Sequence, residues 1–337
     1  MIHKAPGVAS PFGRRVALVG AGAIGLGVSQ ARAQQGRFPE RPVALIVGFP
    51  PGGQTDLAAR LLQAPLSAAL GQPMPIDNRG GAGGNIAVEQ VLRARPDGYT
   101  LTAGNVGTFV LNPHTMPGMG FDPLELTPIG IMLSSPLVLA VHASVPVRTF
   151  AEWREWVMRS QPGGIDMATT SAGGAVHVAS EQLRGLIGSP TINLIHYRGS
   201  GPAHQDLLGN RFPTMLDAPS LLHPFVQSGQ IRPILVTSTK PNPAYPGVPT
   251  AAEAGIPDFL FGGWIGLFGP RGLPPEIVAR LSAALDEACR DPTARERFAV
   301  RGDEIGGGVS PADFAALIRR EHAQWGAVVR ANNIRAE

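Results

Sequence analysis

Three times along the chain an apolar run of strand length ends in a glycine-rich turn and gives way to a segment of helical period. Residues 43–49 lead into Gly52-Gly53-Gln54-Thr55, residues 74–78 into Gly80 to Asn85, and residues 165–169 into Gly173-Gly174-Ala175. A strand that feeds a helix through a short turn belongs to an α/β fold, because the helix must pack back over the sheet its strand joins. Further strands are expected at 99–104, 136–141, 192–196, 214–216 and 232–237. They alternate with helices at 55–70, 85–94, 149–159, 175–186 and 201–208, and helices at 277–290, 292–301 and 311–331 close the chain. This order predicts parallel sheets with helices on both faces, in two units joined around residues 130–137 and 240–265. If the C-terminal helices pack back on the first unit, the chain crosses twice between domains and leaves a cleft for a ligand.

The charge pattern narrows the function. Of the 28 basic residues, Lys4, Arg14, Arg15 and Arg32 fall in the first 33 positions, which hold no acid, leaving 24 against 25 acidic residues in the remainder. A nearly neutral body argues against nucleic acid as a partner, since phosphate binding needs a positive field. No run reaches the length of an apolar membrane span, which excludes a polytopic membrane protein. The one cysteine, Cys289, falls in a helical pattern and reads as a buried, inert thiol.

The N-terminus supports two readings. Residues 16–19 followed by Gly20-Ala21-Gly22-Ala23-Ile24-Gly25 match a dinucleotide-binding fingerprint, with Glu40 twenty residues on. The same stretch reads as a secretory signal peptide: a basic start with Arg14-Arg15, an apolar segment 16–28, and an Ala31-Arg32-Ala33 exit. The second is preferred. Fifteen non-periodic residues precede the candidate strand, and the following helix would break at Gly36, Pro39 and Pro42. Cleavage after Ala33 predicts an exported, periplasmic protein. The alternative is an NAD(P)-dependent oxidoreductase built on Gly20–Gly25.

The first glycine turn, Gly48 to Asp56, falls one residue short of a Walker A motif, with Gln54 where lysine is required. Pro50 and Pro51 also remove two N–H donors, so nucleotide binding is disfavoured. The geometry remains useful: amides of Gly52, Gly53, Gln54 and Thr55 at a helix N-terminus form a nest for a carboxylate, and Asp56 is placed to brace the loop. A tight turn with no ligand is the competing reading. The second turn, Asn78 to Asn85, reads equally as a connection with Asn85 as N-cap. The third offers the hydroxyls of Thr170 and Ser171 and the amides of 174–176, with His177 in the first helical turn, where a neutral imidazole is favoured over a cation. Neither Ser171 nor Ser200 sits in a G-x-S-x-G elbow, and the eight histidines show no metal-ligand spacing. No catalytic pair, metal site or cofactor site emerges.

From Phe38 onward the chain resembles a known family. Phe38-Pro39-Glu40-Arg41-Pro42 with Gly48 to Asp56, Asp77-Asn78-Arg79 with Gly81 to Asn85, Pro96-Asp97-Gly98-Tyr99-Thr100-Leu101, His196-Tyr197-Arg198-Gly199-Ser200 with Pro202-Ala203, and Val248-Pro249-Thr250 with Glu253-Ala254-Gly255 occur in the family's order. They resemble the extracytoplasmic solute-binding receptors of tripartite tricarboxylate transporters, the Bug proteins. The resemblance implies a type II periplasmic-binding-protein fold, with two α/β domains and a ligand cleft between them. It implies a monomeric, non-enzymatic receptor without cofactor, which closes on a small carboxylate and docks on membrane permease subunits; a sensory role for the same closed form is the other option. Carried over residue by residue, the contacts fall on Phe49, Pro51, Gly52, Gly53, Gln54, Thr55 and Asp56, on Asn105 and Thr108, on Thr170, Ser171, Gly174, Ala175, Val176 and His177, and on Tyr197, Ser200 and Asp217. The domains are then 34–135 plus 250–337 and 136–249, with hinges near 136 and 249. Gly80 and Arg198 replace the family's usual Pro and Lys, and Gln54 occupies a variable position next to the ligand.

Overall fold

The computed structural model describes residues 38–116 and 118–336. The basic leader, the Gly20–Gly25 segment and the expected cleavage site lie outside the described residues.

The chain opens on β1 (Ala44–Val47), turns into α1 (Gln54–Leu70), and continues through β2 (Ile76–Asn78), α2 (Asn85–Leu92) and β3 (Thr100–Asn105). A π-helical segment, Gly107–Leu111, runs into the short α3 (Asn112–Thr115), and β4 (Thr127–Pro136) follows. The middle comprises β5 (Val138–His142), α4 (Phe150–Arg159), β6 (Ile165–Thr169), α5 (Ala175–Leu186), β7 (Ile192–His196), α6 (Ser200–Leu208), β8 (Thr214–Asp217), α7 (Pro219–Gln227) and β9 (Ile231–Val236). The chain ends on β10 (Gly262–Gly269), α8 (Pro275–Cys289), α9 (Pro292–Ala299), β11 (Glu304–Ile305) and α10 (Pro311–Ala331).

Two sheets form, ordered β11-β4-β10-β3-β1-β2 and β7-β6-β8-β5-β9. Their strand directions correct the expectation of parallel sheets. The pairs β1–β2, β1–β3, β6–β7 and β6–β8 are parallel, as strand–helix–strand units require. But β10 lies antiparallel between β3 and β4, and β5 lies antiparallel between β8 and β9. Both are strands that begin just after the chain passes from one sheet to the other, so they enter from the opposite end. The chain passes between the sheets at Leu137 and between Val236 and Gly262, while residues 127–136 and 262–269, which overlap the joints expected around 130–137 and 240–265, are themselves paired strands of the first sheet.

Glycine hides β10 from a propensity reading. At Gly266 a Cβ would stand 2.4 Å from the Phe314 ring, so the strand must be bare there for α10 to approach. The surrounding core is aromatic: Phe109 stacks on Phe268 at 3.8 Å, and Trp264 meets Phe314 edge-on at 5.0 Å. Under the second sheet, Phe212, Met215 and Leu222 are buried. Cys289 is buried in α8, and burial pushes its thiol up to about 12, which removes it as a nucleophile.

Helix starts divide into two kinds. Thr149, Asp291 and Ser310 cap α4, α9 and α10 with side-chain oxygens. Helices α1, α5 and α6 begin after Gly53, Gly174 and Gly199 with no side-chain cap. Their first amides are left for another acceptor.

Candidate functional site

Those three uncapped N-termini open into one cleft of about 170 Å³ between the sheets, a space suited to a small molecule. From the first sheet come Phe49, Pro50, Pro51, Gly53, Gln54 and Thr55, with Asn105 to Gly107. From the second come Thr170, Ser171, Gly174, Ala175 and Val176, the start of α6 at Arg198 to Pro202, and Asp217. Ser135, Pro136 and Leu137, where the chain passes from β4 to β5, also line it, as do Phe261 and Trp264.

The first loop is held from behind. Asp56, 2% exposed, accepts from the Gly52 amide and from Arg60 Nε through Oδ2, both at 2.9 Å, and from Asn78 Nδ2 through Oδ1 at 2.9 Å. Asn78 also donates to the Phe49 carbonyl at 3.0 Å. Burial alone would raise the Asp56 carboxyl, but the bonds from Arg60, Gly52 and Asn78 outweigh it and hold it below the usual range. The Gly52 amide is therefore used inside the loop, which corrects its place in the anion nest. Among the described residues, the amides of Gly53, Gln54 and Thr55 have no protein acceptor. Asn85 is also corrected: Gly84 is the N-cap of α2, and Asn85 Oδ1 instead accepts from Asn112 Nδ2 at 2.8 Å.

The third turn is braced by His177, whose Nδ1 accepts from the Gly173 amide at 2.8 Å. Burial, the His196 ring and Arg184 push His177 down to about 4, so it is neutral at pH 7, with its proton on Nε2. Asp217, at the end of β8, receives His204 Nε2 at 2.9 Å and the Ala218 amide at 2.8 Å. Both of its oxygens are thereby engaged by protein donors.

Thirteen of the eighteen expected contacts line the cleft; Gly52, Asp56, Thr108, His177 and Tyr197 do not. Of the five, Thr108 bonds directly to the lining residue Asn105. Thr108 donates to the Gly83 carbonyl at 2.8 Å, and its amide to Asn105 Oδ1 at 3.0 Å. Tyr197 turns its hydroxyl to Asp206 Oδ2 at 2.8 Å and its ring to Phe212. The next residue, Arg198, faces the cleft instead. It is exposed, and among the described residues it forms no ion pair. Sequence reasoning missed Arg198, together with Ser135, Phe261 and Trp264. The alternation of side chains beyond β7 was a usable signal for Arg198; the last three lie where no strand was expected. With one free guanidinium, three positive helix ends and a paired carboxylate, the cleft favours an anion. Among the described residues no cluster could hold a metal, and no helix is long and apolar enough to cross a membrane.

Comparison with known proteins gives concordant matches. The model of the tripartite tricarboxylate transporter family receptor matches residues 58–334. The periplasmic binding protein BugD superposes with TM-score 0.81 at 31% identity, covering 89% of this chain and 100% of that one. MatC from Rhodopseudomonas palustris with bound malate gives 0.79 at 32% identity, covering 87% and 100%. A second R. palustris protein, with adipate, gives 0.83 at 34%, covering 89% and 99%.

Proposed function

The chain belongs to the tripartite tricarboxylate transporter receptor family, and on that premise we propose that it captures a small dicarboxylate in its cleft for delivery to the membrane subunits of such a transporter. The carrying observation is the convergence of three uncapped helix N-termini on one cleft whose only cationic lining residue among the described residues, Arg198, forms no ion pair with them. Malate and adipate in two structural neighbours bound the expected ligand length between four and six carbons. The role is that of a monomeric receptor, not an enzyme, exported to the periplasm after cleavage at Ala33. The lobes comprise 34–135 plus 250–337 and 136–249. The crossovers act as hinges, held at one point by the Leu137 amide donating to Thr237 Oγ1 at 2.8 Å and at another by the Val236–Thr250 bridge. Ligand between the lobes then favours the closed form, the one a permease recognises.

The test is a thermal-shift panel of mono-, di- and tricarboxylates, amino acids and NAD on exported protein whose N-terminus has first been sequenced. A ligand at about 100 times its dissociation constant adds roughly 2.7 kcal/mol of stability. The expected result is a start at Gln34 and a clear rise in melting temperature with dicarboxylates. A shift with NAD alone would replace this reading with the oxidoreductase.

A further inference from the structure

Behind the cleft-lining residues Ser135 and Gln54 lies a buried carboxyl. Asp303, just before β11, is 3% exposed and accepts from Ser135 Oγ at 2.6 Å through Oδ1. Its other oxygen, Oδ2, is buried without a partner in hydrogen-bond geometry, and so are Gln54 Nε2 and Ser220 Oγ. These three unpartnered atoms belong to side chains that stand together, and Gln54 and Ser220 both lower the Asp303 carboxyl against the effect of burial. Gln54 stands in the cleft wall at the start of α1, and its Oε1, unlike its Nε2, is not among the buried atoms without a partner. Only the amide end of a carboxamide can donate to a carboxylate, so Asp303 decides which way Gln54 is turned.

We propose that Asp303 is a positioning residue for ligand selection: it holds Gln54 by the Nε2 end and so presents Oε1 to the cleft as an acceptor for a hydroxyl or ammonium group on the carboxylate ligand. The inference rests on the receptor reading above and adds a preference for substituted over plain dicarboxylates. It also carries a pH dependence. Burial pushes Asp303 up to about 6, against the pull of Ser135, Ser220, Gln54 and Arg301. Above that pH the carboxylate accepts from Nε2. Below it the acid has a proton of its own to donate to Oε1, and Gln54 is free to turn over. The other titratable groups around it are Arg301, Tyr245 (raised by burial and by the charges of Asp303 and Asp217), the Asp217–His204 pair, and His223 against the Tyr245 ring.

Malate and succinate, equal in length and both dianions at pH 8, differ by one hydroxyl, and Asp303→Leu measured at each pH accounts for protonation of the ligands themselves near pH 5. Calorimetric titration of both into wild type, Asp303→Asn and Asp303→Leu at pH 5 and pH 8 tests the proposal, with cooperative melting as the check on folding. Wild type is expected to prefer malate roughly tenfold at pH 8, the worth of one net hydrogen bond, and to lose most of that preference at pH 5. Asp303→Asn carries a donor beside its acceptor oxygen at every pH, as the protonated acid does, so it is expected to show the reduced preference at both pH values. Asp303→Leu is expected to bring the two ligands within about twofold. A malate preference equal in wild type and Asp303→Leu, or one in wild type as flat with pH as in Asp303→Asn, overturns the proposal and leaves the receptor reading standing. Wild type that binds neither ligand overturns both.

Discussion

Gly53→Val is expected to abolish dicarboxylate binding, by about 100-fold or more, while the protein still melts cooperatively near the wild-type temperature. The backbone at Gly53 is extended, with φ −78° and ψ 168°, a region valine adopts without strain. A Cβ built there meets only the Pro50 carbonyl oxygen, at an ordinary 3.7 Å. The fold therefore has room for the side chain, and the ligand does not. The isopropyl group would stand in the cleft wall beside the Gln54 and Thr55 amides, where a carboxylate has to come within hydrogen-bond distance. Losing that approach forfeits several charge-assisted bonds at once, and 100-fold corresponds to only about 2.7 kcal/mol. Gly52→Val is the contrasting control. Gly52 sits at φ +89°, so valine there strains the backbone and should lower the melting temperature itself. Calorimetric titration and thermal melts of both variants separate the two effects. Wild-type affinity in Gly53→Val would mean that the first loop does not reach the ligand.

Asp56→Ala is expected to weaken binding and stability together. The carboxylate is buried behind the loop and holds the Gly52 amide, Arg60 and Asn78. Removing it takes an acceptor from the Gly52 amide, Arg60 and Asn78 and loosens the hold of β2 on residues 49–55. Losing the hydrogen bonds of a buried charged group costs about 1–3 kcal/mol, so affinity should fall roughly 5- to 150-fold, with a lower denaturation midpoint. The sign of the pH effect follows from the direction of the shift. Asp56 is held below the ordinary carboxylate range, so its contribution is fully present above that range. It fades only as strong acid protonates the folded form. Wild type should therefore keep this part of its stability from pH 8 down to about 5, and the difference between wild type and Asp56→Ala should shrink below about pH 4. The same denaturation midpoints measured from pH 3 to pH 8 check both statements. Unchanged affinity in Asp56→Ala would show that the loop needs no brace.

The parts of this architecture legible in the sequence are those written in local patterns. An apolar run, a glycine turn and a helical period identify the starts of α1, α2 and α5 without tertiary knowledge, and two of those starts line the cleft. What local pattern conceals is direction and distance. Residues 262–269, four of the eight glycine, are not expected as a strand and in part fall in the expected joint, yet the strand is central to the first sheet, and Gly266 is needed for Phe314 to pack. A motif likewise marks which residues matter without saying which face the ligand. Asp56, Thr108, His177 and Tyr197 belong to the right segments but point into the loops they brace. Arg198, one residue from Tyr197, points the other way. Asp303 was illegible for a different reason: its neighbours Ser135, Gln54 and Ser220 come from distant parts of the chain, and only the folded packing brings them together.

The most direct test of the central claim is a crystal structure of the protein grown with the dicarboxylate that raises its melting temperature most. The account predicts one carboxylate at about 2.7–3.2 Å from amides of Gly53 to Thr55, with the other end against the start of α5 or Arg198. A ligand bound outside the cleft, or inside it with those amides facing only water, would contradict the account.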